Sequence, residues 1–543
     1  MWKTIKLLFN CFASAVIFNY FILILILLIN PHISISNQDF FLLYLNLFFF
    51  YGVIWIFFIG ISFFIVQFFS EKKYPIGIIS PPTITYFLSF TILLITIVLY
   101  FNYDYYFQFI SFEVRAKFIK VLLINLALII TGIFFVTIKK LDKRWIQAFF
   151  LGLLAYNVLT SYSAIIFSNV QDQVKVVQET QFPEDVTPRK IRVVIMDGLS
   201  SNFILSLSSE EKLLNFKHLL NHGVRGRIST FQPNLDLSLI SATLSGLKPS
   251  SYKWHSYYRF KVSTVKHEFN IFPRYIFFRN SSYFNITAFY KKKNTEIPDN
   301  LSRYYNENNF KTLRLLDPLY TPIYSEKSLH YNPRFIPLFS DTLKKNDRKY
   351  EIVKKSFFFD DYIKNRIPEL KDNDLYCAII KLTGLGTVSK YFYQYARSRT
   401  FENIPESEIK QYGWVIEKYY EYYDSIIGNL ISTTGDNELL VILSLFEYEP
   451  LPYWRRILVN LMGDRDLYVY NPINSRGTIF MYEKNAIKQD YPMKTISIFD
   501  IFPTLLYYSG FPLSKNLQGE VIREIFNEEF LLNNPIDIIT DIR

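Results

Sequence analysis

The chain has 543 residues and a formal net charge of +11; half of its residues are apolar, 18% are aromatic and 20% charged. This composition excludes a disordered chain. Charge-free blocks in the first third exceed the roughly 20 residues that cross a bilayer as a helix, which excludes a wholly soluble protein. The only cysteines, Cys11 and Cys377, form neither a disulfide framework nor a thiolate metal cluster.

Five long apolar runs are predicted to span a membrane, at 9–29, 40–69, 81–101, 118–138 and 145–167. The second is long enough to tilt or kink. Lys3 and Lys6 precede the first run as in a signal peptide, but no small-residue cleavage site follows, so it reads as an anchor. The N-terminus and the second and fourth loops hold eight basic residues against Glu71 and Asp142, a net +6, while on the other side three acidic and three basic residues cancel. Retention of positive charge then predicts a cytoplasmic N-terminus. An odd number of spans places everything after about residue 168 outside the cytoplasm, in an inner or plasma membrane protein. The basic surplus is therefore mostly a topology signal, and nucleic acid is not an expected partner.

A polar juxtamembrane linker is expected over 169–190, with Pro183 and Pro188. Residues 191–196, "IRVVIM", read as a buried parallel strand ending at Asp197 and Gly198, with Ser200, Ser201 and Asn202 available to cap a helix. An acid at the carboxyl end of such a strand is a candidate metal or phosphate-site residue, or a helix cap. An amphipathic helix over 210–221 stops at Gly223 and precedes a strand near 227–230. His218 and His222 are four apart on that helix. They could face one ligand, or be ordinary surface and C-terminal residues favoured by the helix dipole. Over 235–249 a helix closed by Gly246 carries hydroxyls at Ser238, Ser241, Thr243 and Ser245. A hydroxyl at a helix N-terminus suits attack on phosphorus, and buried packing accounts for it equally.

The order of these blocks resembles the alkaline phosphatase superfamily, particularly its type I phosphodiesterase and nucleotide pyrophosphatase branch. The resemblance rests on "VVIMDG", "NFKHLLNHGVRGRI", "LSGLKP", "DLYCAIIKLTGLG", "YYEYYDSIIGNL", "NELLVILSLFEYEP" and "SIFDIFPTLLYYSGFPLSKNLQG", covering about 190–525. Five spans before such a domain are similar in architecture to lipoteichoic acid synthases and phosphoethanolamine transferases. The implied fold is an α-helical membrane domain (1–168) followed by an α/β alkaline-phosphatase-like domain (191–543). That domain would have a mostly parallel central sheet and a cap inserted over 255–372.

The resemblance implies two divalent metals, usually zinc, and a Thr or Ser nucleophile. Asp197 matches the first metal-binding Asp. Counting back from Gly246 puts the nucleophile at Ala242, with Ser241 and Thr243 on either side. The family's Asp-x-x-x-His falls on Thr383 and Thr387, its Ser-Asp-His-Gly on Ser444 to Glu447, and its last His near Asn474, Ser475 and Arg476. The last of the six His is His330, so the three imidazoles expected beyond it do not exist. Asp236, His255, His267, Asp360, Asp361 and Glu447 remain as acids and imidazoles without diagnostic spacing.

The first expectation is a protein without a cofactor and with a degenerate metal site, binding or scaffolding envelope lipid, glycan or another membrane protein beside the bilayer. The alternative is an active phosphodiesterase or phosphotransferase on envelope phosphates, using Asp197 with Ser241 or Thr243 and zinc or manganese.

Overall fold

The computed structural model describes residues 2–69, 81–137, 143–166, 188–316, 348–457 and 476–539, less 34, 253–254, 257, 275, 277, 293–297, 402–403 and 455, together with 339, 343, 469 and 470. The linker expected over 169–190 lies almost wholly outside these residues, as does much of the later part of the expected cap. The chain divides into two units. One joins Met1–Val176 with Lys248–Thr295, the other Val177–Leu247 with Glu296–Arg543.

The first unit contains helices α1 (Trp2–Ile29), α2 (Asn37–Leu47), α3 (Val53–Phe69), α4 (Pro81–Tyr105), α5 (Phe112–Thr137) and α6 (Lys143–Ile166). Among the described residues four segments are long and apolar enough to cross a membrane: Leu7–Ile29, Asn37–Ile65, Ile84–Tyr105 and Phe112–Phe135. The fifth expected span forms α6 but is not among them. α1 is the hub, with 72% of its apolar window buried against 28–33% for the other three. The second span joins α2 to α3 through a π-helical turn, Phe48–Gly52. A side chain at Gly52 would strike the Phe48 ring, so the glycine permits the bulge in an otherwise straight span. Buried amides pair between helices: Asn157 donates to Asn125 at 2.6 Å, and the Tyr20 hydroxyl donates to the Val158 carbonyl at 2.6 Å. Tyr162, near the end of α6, donates to Asn37 at the start of α2 (2.9 Å).

Residues 248–295, part of the expected cap, belong to this unit. Strands Tyr258–Val262, Glu268–Phe269 and Thr287–Lys291 form a small antiparallel sheet. Its aromatics make a core of their own, with Phe260 stacked on Phe269 at 5.0 Å and edge-on to Phe278 at 4.9 Å. The stretch 270–274 carries backbone groups that the ends of the helices satisfy. The Asn30 amide accepts from Ile271 N (3.0 Å) and donates to Ile271 O (2.6 Å). Asn102 does the same for Arg274, at 2.9 and 3.1 Å, and Tyr106 donates to Phe272 O at 2.9 Å. An asparagine amide offers a donor and an acceptor side by side, so each one replaces a strand partner.

The second unit is built on an eight-stranded sheet. Its elements in chain order are β1 (Lys190–Met196), α7 (Ser201–Ser209), α8 (Leu214–His222), β2 (Val224–Ser229), α9 (Asp236–Ser245), β3 (Lys311–Leu315), α10 (Arg348–Arg366), β4 (Leu375–Leu382), α11 (Gly384–Ala396), α12 (Val415–Thr433), β5 (Glu438–Ser444), β6 (Arg476–Tyr482), β7 (Tyr491–Pro492), β8 (Ile496–Ser497) and α13 (Ile498–Ser509). The sheet order is β7-β2-β6-β5-β1-β4-β3, with β8 also paired to β2. Only β6 runs against the rest. The continuous apolar runs of β1, β4 and β5 suit this position, because a parallel sheet is covered on both faces. The register sets Ile195 beside Lys381 and Leu443. It thereby brings the carboxyl ends of three strands to one edge, with Thr478 of β6 opposite Ser444.

Two boundaries differ from expectation. The helix expected over 210–221 starts only at Leu214, after a turn in which Glu211 has φ 61°. Its cap comes from far along the chain: Asp424 of α12 accepts from Asn215 N (3.2 Å) and Phe216 N (2.8 Å). The strand expected near 227–230 begins at Val224, pairing with β6 over six residues. α9 ends as expected, on Gly246 at φ 66°.

Replacing Asn30 or Asn102 with Leu takes the side-chain partner from at least one backbone N–H and one C=O of 270–274, at about 1–3 kcal/mol per orphaned group. Each variant should lower the thermal midpoint of the detergent-solubilised chain and speed proteolysis within 264–274, whereas Asn46→Leu, which removes a bond to the Thr264 side chain (3.0 Å) and one to the Leu42 carbonyl of its own helix (2.8 Å), should do much less.

Candidate functional site

Asp197 follows β1 at the carboxyl edge, its N–H bonded to Leu382 O at 3.0 Å. Gly198 turns the chain at φ 82°. A Cβ on Gly198 would lie 2.7 Å from Gly386 Cα, and one on Gly386 would lie 2.9 Å from Asp197 Cβ. The two glycines let the turn after β1 and the first turn of α11 touch through backbone, which holds Asp197 against β4.

There it meets a residue the sequence reading did not single out. Lys381, in β4, places its ammonium 3.3 Å from Asp197 Oδ2 and 2.5 Å from Asp236 Oδ2. Asp236 is the first residue of α9. The Lys381 side chain is 3% exposed, Asp197 9% and Asp236 41%, so the group is buried at its base and opens at Asp236. The second oxygens, Asp197 Oδ1 and Asp236 Oδ1, are buried with no hydrogen-bond partner among the described residues. Burial pushes the Asp197 carboxyl up to about 7; Lys381 pulls against that rise and Asp236 adds to it. Lys390 of α11 lies 5.8 Å from the centre of the Tyr448 ring. Tyr448 holds the Lys390 ammonium above its usual range, with smaller contributions from Asp197 and Asp236. Two carboxylates and two ammonium groups thus balance in formal charge.

The neighbouring acids are engaged in holding helix ends. Glu447 accepts from Ser201 N (3.1 Å), Ser201 Oγ (2.9 Å) and Thr478 Oγ1 (2.9 Å), all on Oε1. Together with Tyr420, whose hydroxyl receives Ser200 N at 2.8 Å, it satisfies the start of α7; Ser200 itself makes no side-chain cap. Asp360 accepts from Thr383 N (3.2 Å) and Gly384 N (3.1 Å) at the start of α11, and from the hydroxyls of Tyr419 (2.8 Å) and Tyr423 (2.9 Å). Burial pushes Asp360 up to about 7 against the pull of these donors. Thr387 bonds the Thr383 carbonyl at 3.2 Å. The position that the resemblance assigns to an Asp-x-x-x-His pair is therefore a helix start built from hydroxyls and glycine.

Ser241 and Thr243 both lie in the buried body of α9. Thr243 Oγ1 donates to Leu239 O at 2.9 Å, and Ser241 Oγ has no hydrogen-bond partner among the described residues. No hydrogen bond among those residues joins either hydroxyl to Asp197; the residue α9 offers there is Asp236. His218 and His222 stack at 4.3 Å on α8, while His255 and His267 fall in the other unit, against Phe109 (4.9 Å) and Asp39 (3.4 Å). Asn474, Ser475 and His330 lie outside the described residues. Among the described residues no group of three or more His, Cys, Asp or Glu could hold a metal ion. The sequence did carry one signal for Lys381: a lysine inside the apolar strand "CAIIKL" is almost never buried without a partner.

No protein-family model and no curated protein matches the chain. Solved structures that align with it include human ectonucleotide pyrophosphatase/phosphodiesterase 5 (10% identity, 63% of this chain and 100% of that one, TM-score 0.38). The murine counterpart in complex with AMP aligns at 8% identity, over 62% and 100%, with TM-score 0.36. A 2-O GAG sulfatase aligns at 11% identity, over 62% and 74%, with TM-score 0.39.

Asp360 supplies a pH test. Its folded pKa stands above the ordinary carboxylate value, so its contribution to stability is complete below about pH 4 and is lost as pH rises through about 7, on the order of 4 kcal/mol in all. Chemical unfolding of Asp360→Asn across pH 4–8 should show a flatter profile than the parent chain. An unchanged slope would mean that Asp360 titrates normally.

Proposed function

We propose that the chain is a membrane-anchored protein of alkaline-phosphatase-like architecture whose carboxyl-edge site is degenerate for metal catalysis and acts as a binding or scaffold component in envelope lipid or glycan assembly. The observation that carries this reading is the Lys381 ammonium between Asp197 and Asp236. Two-metal phosphoryl transfer needs two clusters of neutral and anionic ligands around an open reaction centre. Here the acids at the edge pair with lysine or cap helices, and the α9 hydroxyls are buried in the helix body. The fold reading is supported by the motif order along 190–525 and by an acid at the carboxyl end of a central parallel strand, where open α/β sheets bind ligands.

A fifth crossing by α6 is part of the proposal. The stretch 270–274 rests on Asn30, Asn102 and Tyr106, at the outgoing ends of α1 and α4. α5 starts on that same face and leaves it, and among the described residues the helices between α6 and Lys248 have 9, 9 and 10 residues, too short to cross. A crossing by α6 returns the chain to that face, and the bond from Tyr162 to Asn37 supports this reading. With the basic residues on the opposite face, the N-terminus is cytoplasmic and the α/β domain lies outside.

Two measurements test these readings. The purified full-length chain should not hydrolyse a bis-aryl phosphate with zinc, manganese or magnesium; turnover abolished by Asp197→Asn would favour the enzymatic reading and sink the scaffold one. In sealed right-side-out vesicles a C-terminal tag should be cleaved by added protease and an N-terminal tag protected, and the reverse pattern would overturn the five-span topology.

A further inference from the structure

We propose that Lys381 is a built-in cation that takes the place of a divalent metal between Asp197 and Asp236, and that removing its charge exposes a divalent-cation site made of those two carboxylates. This deepens the functional reading above and rests on it.

The donor set does not fit the two metals implied by the superfamily resemblance. The Asp-x-x-x-His positions hold Thr383 and Thr387, and the Glu447 carboxylate is bound at the start of α7. What the edge does hold is an acidic pair facing one ammonium. Asp197 and Asp236 arrive from different elements, the end of β1 and the first turn of α9, and both turn Oδ2 toward Lys381. Without Lys381, two carboxylates meeting at a largely buried point would repel each other with only the more distant Lys390 to offset them. A lysine fixed in the sheet supplies one positive charge with no binding equilibrium. Its backbone is held in register with Ile195 and its side chain is 3% exposed, which keeps the ammonium tethered at the acid pair.

A second buried cation in the same sheet shows what an ordinary structural pair looks like. Arg192 of β1 meets one carboxylate, Glu438, at 2.5 Å, and spends its other donors on Thr433 Oγ1 (2.8 Å) and Leu370 O (3.1 Å). Glu438 in turn accepts from Gly435 N at 2.7 Å. At Lys381 one ammonium meets two carboxylates directly, with Lys390 acting on both from further away, and two buried oxygens, Asp197 Oδ1 and Asp236 Oδ1, are unpartnered among the described residues. Two carboxylates meeting at one ammonium, each with an unpartnered second oxygen and one of them 41% exposed, suit a hard cation such as Mn²⁺ or Mg²⁺ better than zinc. Lys381→Met keeps the volume and removes the charge.

The experiment uses the full-length chain in detergent, with Mn²⁺ as the probe. The parent chain, stripped with chelator, should bind no Mn²⁺ at this site, and its thermal midpoint should not respond to Mn²⁺. Lys381→Met should melt roughly 10 °C lower in chelator, recover most of that loss with Mn²⁺, and bind about one equivalent by calorimetry. Lys381→Met combined with Asp197→Asn and Asp236→Asn should melt near the parent and ignore Mn²⁺. If Lys381→Met folds only when Mn²⁺ is present, the proposal is supported. If it fails to fold with or without Mn²⁺, or matches the parent in chelator, or folds but neither binds Mn²⁺ nor is stabilised by it, the proposal is overturned. Parent protein that binds Mn²⁺ through Asp197 with Lys381 in place overturns it too. These outcomes separate from the functional reading, since an inert parent chain with a metal-blind Lys381→Met variant removes only this inference.

Discussion

A carboxylate taken out of water needs a positive or hydrogen-bonding partner, and the α/β unit is arranged around meeting that need at one sheet edge. Asp197 lies at the end of β1 because two glycines let the turn beside it touch α11. Lys381 reaches it because the register of β1 and β4 sets their last residues side by side. Asp236 joins them from the start of α9, where helix amides add positive potential. Shifting β1 against β4 by one residue would strand a charge, since alternate residues of a strand face opposite ways. The triad therefore fixes strand register as well as site chemistry.

The same rule organises its surroundings. Asp360, Glu447 and Asp424 each come from a distant part of the chain to satisfy the N–H groups at a helix start: α11, α7 and α8 respectively. Local caps are weak at all three, with no side-chain cap at Ser200, Leu213 or Thr383. Acidic side chains that a sequence reader would offer to a metal are thus committed to the backbone, where their negative charge matches the dipole. In the membrane-associated unit the amides of Asn30 and Asn102 do this work for extended chain, on a face where neutral side chains serve both a donor and an acceptor.

What could be read from the sequence follows from how local each cause is. β1 and the Gly246 stop were readable because a β-branched run and a left-handed glycine act within a few residues. The interruption between α7 and α8 was not, because the cap of α8 is Asp424, some 200 positions away. The place of residues 248–295 was equally hidden: their Phe content signals a packed cluster, but nothing local says that Asn30 and Asn102 complete its backbone. Among the described residues four segments meet the length and apolarity needed to span; in α6 Asn157 and Ser161 pair with Asn125 and the α6 backbone, so its polar residues serve to bind helices together.

The site itself was half legible. Asp197 stood out by its position after β1, and Asp236 was only one acid among several. The hydroxyls drew attention because the resemblance asks for a nucleophile, yet helix geometry decides which residue of α9 faces the edge. Position 236 opens the helix, while 241 and 243 lie more than a turn further along its axis. Lys381 falls at no position where the superfamily pattern asks for a ligand or a nucleophile. A missing ligand leaves the charge requirement of the remaining carboxylates unanswered, so the productive question is which residue now answers it. In a strand as apolar as β4, the one lysine answers it at contact distance, and Lys390 of α11 completes the balance from further away.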